Sequence, residues 1–93
     1  MSPGEAHRLI LRCLDEEAYE LNPHFVKRLT ERGPFLSEAL AACESPDHVK
    51  LDGPDGYSRF RVLLTGTTQL GTVTLLICIE RDPPAEFITI YWE

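Results

Sequence analysis

Side chains able to handle a phosphate recur every fourth residue in the stretch NPHFVKRLTERGP, residues 22 to 34: His24, Arg28 and Arg32. Side chains four apart on a helix lie one above the other, so a helical segment here places them on one face. Arginine offers a planar fork of donors that matches phosphate, and imidazole, with a reference pKa of roughly 6.5, carries protons at neutral pH. The pattern suits an anion-binding or phosphodiester-handling face, with Lys27 adding charge beside it. The same residues also read as an ordinary surface helix. Glu31 stands four residues from Lys27 and three from Arg28, and such pairs stabilise a helix by ~0.2–0.5 kcal/mol each. On spacing alone the surface reading is favoured.

A second group near the end of the chain has chemical potential. Tyr91 and Thr89, with Arg59 and Arg61, would form a cluster if their strand faces point into a cleft, where tyrosine can act as acid or base and arginine can stabilise negative charge. Packing is the competing role for a strand tyrosine. The familiar specified signatures are absent: there is no Gly-rich phosphate loop, nucleophile elbow, CxxC pair or HExxH. His7, His24 and His48 have no ligand spacing, so neither a metal nor a cofactor is expected. Cys13, Cys43 and Cys78 are odd in number, widely spaced and set in apolar surroundings, and read as buried thiols.

Composition sets limits on these readings. A chain of 93 residues suffices for one compact domain (residues 1–93, helical to 45 and sheet from 46), burying ~60–65% of its unfolded surface. The net charge is −6, from 9 basic and 15 acidic residues. The two halves share this imbalance, with five basic and eight acidic residues in 1–46 and four and seven in 47–93. A nucleic-acid binder normally carries an excess of Lys and Arg to neutralise phosphates, so the balance counts against tight RNA or DNA binding. No segment resembles a signal peptide, and the longest apolar run, VTLLICI, is too short to span a bilayer. A cytoplasmic protein without membrane contact is expected.

The elements that must position these residues follow from start and stop signals. Ser2, Pro3 and Glu5 open a helix expected over about residues 3 to 18, with Ala6, Leu9, Ile10, Cys13 and Leu14 at helical spacing. The acidic run Asp15, Glu16, Glu17 and Glu20 opposes the dipole at its end. Asn22-Pro23 and Gly33-Pro34 bracket a second helix, about 23 to 32, and LSEALAAC reads as a third. After Pro46 the spacing becomes extended. HVKL, YSRFRVLLTG, TVTLLICIE and FITIYWE read as strands, with DGPDG as a hairpin loop after the first. The third is apolar on both sides and so central. In the last, Ile88 and Ile90 are expected on one side, joined by Trp92, with Phe87, Thr89 and Tyr91 on the other. Short connections require antiparallel pairing. The expectation is an α+β fold with N-terminal helices packed on one face of a four-stranded antiparallel sheet.

The combination HFVKRLTERG, then SEALAAC, then a sheet ending in ITIYW, resembles a small prokaryotic family of unknown function grouped with the RelE-like toxins. Its members look like H-x-x-x-R-x-x-x-R-G, then a Ser and a short helix, and a terminal strand of the form vTvY. The resemblance covers roughly residues 22–92 and leaves out the N-terminal helix. It implies helices on a curved antiparallel sheet, as in RelE, BrnT and barnase-like ribonucleases. It further implies an RNA-cleaving toxin component acting without metal, with RNA as substrate and an antitoxin as partner. By motif position its catalytic residues would be His24, Arg28, Arg32 and Tyr91. The alternative is a non-catalytic protein-interaction domain or homodimer with a toxin-like fold, which the acidic balance favours.

Overall fold

In the computed structural model, residues 1–54 and 59–93 are described. The protein is α+β, with helices α1 (Pro3–Asp15), α2 (Pro23–Arg32) and α3 (Leu36–Glu44) and strands β1 (Tyr19–Leu21), β2 (His48–Pro54), β3 (Phe60–Thr68), β4 (Gly71–Ile79) and β5 (Ala85–Trp92). The sheet order is β1-β5-β4-β3-β2. Strands β2 to β5 form the expected antiparallel meander.

The expectation of four antiparallel strands is corrected by β1, which pairs parallel to β5 with Tyr19 opposite Ala85 and Leu21 opposite Phe87. Three residues between an acidic run and a helix start are too few to display alternation, so nothing local marks them as a strand. What holds them is tertiary: Ala85 N–H donates to the Ala18 carbonyl at 3.1 Å and Asn22 N–H to the Phe87 carbonyl at 2.9 Å. A parallel neighbour needs a long connection, and here most of the chain lies between the two strands.

Helix boundaries follow their caps. Ser2 Oγ accepts from Glu5 N–H at 3.2 Å, and Asn22 Oδ1 accepts from His24 N–H at 2.9 Å. Helix α1 ends at Asp15 rather than at 18, because Glu17 takes a positive φ of 54° and the chain turns back. Glu17 N–H then donates to the Leu14 carbonyl and Ala18 N–H to the Cys13 carbonyl, satisfying two carbonyls at the helix end. Gly33, at a φ of 70°, closes α2 in the region that glycine adopts without strain. Asp55 and Gly56 of the expected hairpin loop, and Tyr57 and Ser58 of the expected second strand, lie outside the described residues; β2 itself continues to Pro54.

The helices cover one face of the sheet. The core beneath them includes Ile10, Phe25, Val62, Leu64, Val73, Leu75, Ile77, Phe87 and Ile90. Phe25 of α2 meets Phe87 of β5 edge-on with ring centroids 5.5 Å apart, a geometry that aligns ring edge with ring face. Gly66 permits α3 to approach closely: a Cβ on it would lie 2.6 Å from that of Ala42.

A second correction concerns β5. Its register against β4 shifts between Leu76 and Ile77, where Thr89 and Phe87 are the partners and Ile88 is the extra residue. The bulge places Phe87, not Ile88, on the covered face with Ile90. Trp92 does pack against the core, half-buried, and its Nε1 donates to the Arg32 carbonyl at 3.0 Å.

Candidate functional site

Helix α2 lies on β5 with Phe25 buried, and His24, Arg28 and Arg32 follow one flank of the helix. His24 and Arg32 are exposed and Arg28 half-buried. Among the described residues, none of the side chains of this row makes a hydrogen bond or ion pair. Glu31 takes Lys27 at 3.9 Å, an exposed pair of small energetic worth, but does not take Arg28. The row is thus two arginines and a histidine whose side chains have no partner among the described residues. Three well-formed cavities of the described residues, of about 400, 510 and 440 Å³, are lined by other residues.

Tyr91 is not brought to this row. It pairs across the sheet with Thr74, which pairs in turn with Thr65, whereas its neighbour Trp92 pairs with Val73 of the core. Successive side chains of a strand point to opposite faces, so Tyr91 stands on the face away from the helices, and it is 43% exposed there. The sheet separates it from α2.

The second expected cluster also divides. Arg61 and Tyr91 share the open face, but they are registered to Cys78 and Thr74, four residues apart along β4. At ~3.3 Å per residue that is roughly 13 Å of strand. Arg61 is turned to Asp52 at 3.3 Å, and Arg59 Nη1 donates to Glu86 Oε1 at 2.8 Å. Beside Tyr91 run hydroxyl contacts: Thr65 Oγ1 and Thr74 Oγ1 lie 3.1 Å apart, and Thr74 also donates to the Glu93 carboxylate. These contacts satisfy Thr74, which is buried.

All three cysteines are buried and none is in a disulfide, as their surroundings suggest. Burial pushes the Cys43 thiol up to about 12, with the nearby Glu44 adding to the effect, and burial also raises Cys13. Both are therefore held as neutral thiols and poor nucleophiles near neutral pH. Among the described residues no group of three or more His, Cys, Asp and Glu side chains is placed to hold a metal ion. No helix among them is long and apolar enough to cross a membrane.

The most exposed large apolar side chains went unmarked by motif reasoning. Phe35 is 78% and Leu70 75% exposed. Phe35 precedes α3, where its N–H donates to Glu38 Oε1 at 3.4 Å. Leu70 sits in the two-residue turn that joins β3 to β4, closed by the pair Thr68–Gly71. Thr68 Oγ1 stiffens that turn, donating to the Gly71 carbonyl at 2.8 Å and accepting from Leu70 N–H at 3.2 Å. A 440 Å³ groove is lined by Phe35, Glu38 and Ala41 on the helix side and, on the hairpin side, by Thr67, Thr68 and Gln69, the residues that precede Leu70. The available signal was a leucine in TTQLGT, where a tight turn ordinarily carries polar residues and glycine.

Compared with protein-family models, with curated proteins and with solved structures, the chain matches none.

Proposed function

We propose that this protein is a non-catalytic protein-interaction domain, and that its partner is a basic protein that seats an apolar side chain in the groove beside Phe35. The observation that carries this reading is the highly exposed Phe35 on the lining of a groove whose other wall, Thr67 to Gln69, adjoins the similarly exposed Leu70 in sequence. Scattered exposed apolar residues are ordinary, but an exposed aromatic ring lining a concavity offers the anchor that binding energy concentrates on. The net charge of −6 selects the partner's sign, since opposite charge speeds encounter and like charge opposes it.

A second reading, an RNA-cleaving component of the RelE-like toxin group, is favoured by one observation, the unpartnered row His24, Arg28 and Arg32. Helices on an antiparallel β2–β5 meander suit that kinship. It would have to work without Tyr91, which lies across the sheet.

The test is induced expression in a bacterial host with a photo-crosslinking residue at position 70. The interaction reading expects unimpaired growth, intact RNA and a discrete adduct with a basic protein. Phe35→Asp should abolish the adduct, and the purified pair should bind in a salt-dependent way. Growth arrest with RNA cleavage that His24→Ala or Arg28→Ala relieves would replace it with the toxin reading.

A further inference from the structure

Helix α1 carries a second cationic arrangement, and this one faces a wall. Arg8 and Arg12, four residues apart, share a helix face with Leu9. Opposite them stand Phe60, at the start of β3, and Arg81, in the connection between β4 and β5. Together with Met1 and Glu5 these residues enclose a half-open cavity of about 400 Å³, within the size range of small-molecule sites. Three of the chain's nine cations thus converge on one cavity of an acidic protein, across segments distant in sequence.

The availability of those cations distinguishes the cavity from an ion-paired surface. Among the described residues Arg8 and Arg81 make no hydrogen bond or ion pair. Arg12 holds Glu16 at 3.3 Å, but both side chains are about half exposed, at 52% and 47%, so the pair is weak and open to exchange. Glu5 is the acidic residue of the lining, and its carboxylate accepts from Ser2 Oγ at 3.3 Å. The balance of the lining is positive, and Leu9, Phe60 and Met1 give it an apolar part.

We propose that this cavity binds a small organic oxyanion, a carboxylate or phosphomonoester borne on an aromatic or short aliphatic group. The guanidinium forks would take the oxyanion in paired hydrogen bonds while the apolar part of the lining takes the carbon body. This site is independent of the groove lined by Phe35.

The experiment titrates the full chain, tagged at its C-terminal end to leave Met1 native, with phenyl phosphate, phenylacetate and inorganic phosphate. Backbone amide shifts of Arg8, Leu9, Phe60 and Arg81 are followed by NMR. Saturable shifts with at least one aromatic anion are expected, and the tighter of the two identifies the oxyanion class. Inorganic phosphate should bind about tenfold more weakly or worse, since it lacks the apolar contact. Arg8→Ala with Arg81→Ala should weaken the aromatic anion about tenfold or more. Lys50→Ala, a loss of positive charge elsewhere, should leave the affinity unchanged. The two altered arginines are exposed, and a dispersed amide spectrum verifies the fold. The proposal is overturned if neither aromatic anion saturates, if the double-arginine variant keeps wild-type affinity, or if inorganic phosphate binds as tightly as phenyl phosphate.

Discussion

On the covered face of the sheet, Val73, Leu75 and Ile77 of β4 are sealed beneath the helices. On the other face, Leu76 of the same strand lies opposite Leu63 and remains half-buried. Only Thr74 and Cys78 on that open side of β4 are buried. A strand apolar on both sides therefore indicates a central position, as β4 has, without requiring cover on both sides. The difference also explains the fate of the expected catalytic group. Adjacent residues of β5 go to opposite faces, so Trp92 joins α2 while Tyr91 is left on the open side.

The sharpest way to break this contrast is to empty the covered face. Phe87→Ala removes the ring against which both Phe25 and Tyr19 pack, and should cost ~3–5 kcal/mol in urea unfolding. A loss as small as that of an exposed side chain would mean that the helices do not depend on that contact. Gly66→Ala comes next, at ~1–3 kcal/mol by the same measurement, because the added methyl would overlap Ala42 and push α3 outward.

The covered face should also carry a pH signature. Cys43 is raised from the ordinary thiol value of 9.0 to about 12, so between those values the unfolded chain loses a proton that the folded protein keeps. Stability is then full below pH 9.0 and falls as pH rises toward about 12, with a slope approaching ~1.4 kcal/mol per pH unit. Urea midpoints in alkaline buffers, with Cys43→Ala as the variant that should lose this part of the slope, measure it. On the open side, Leu76→Ala should cost ~1 kcal/mol, since a half-exposed side chain forfeits only part of the burial energy of a sealed one. If it cost as much as Phe87→Ala, the open face would be covered in solution.

The helices were legible in the sequence because their ends are written locally: Ser2-Pro3, Asn22-Pro23 and Gly33-Pro34 each carry a backbone preference that acts without the rest of the chain. The meander was legible because alternation in β3 records burial residue by residue and the apolar run of β4 marks a central strand. Strand β1 was not, being held by hydrogen bonds to residues more than sixty positions away. Neither was the bulge at Ile88, since an alternating pattern cannot announce the residue at which it slips. Of the candidate site, spacing correctly implied a shared flank for His24, Arg28 and Arg32, and by itself could not supply an opposing wall. The mirror case is α1, where Arg8 and Arg12 have the same spacing but Arg81 and Phe60 come from distant segments.

The place of β5 between β1 and β4 bears on how the protein is made. A chain leaves the ribosome N-terminus first, so β1 is synthesised long before the strand that gives it its hydrogen-bonding neighbour. Helices α1 to α3 can form while translation continues, but Phe25 has no Phe87 to meet until β5 emerges, and the apolar side of α2 waits uncovered. Docking of α2 therefore waits for the synthesis of β5. In that interval the nascent helices are the segment most exposed to chaperones and to aggregation.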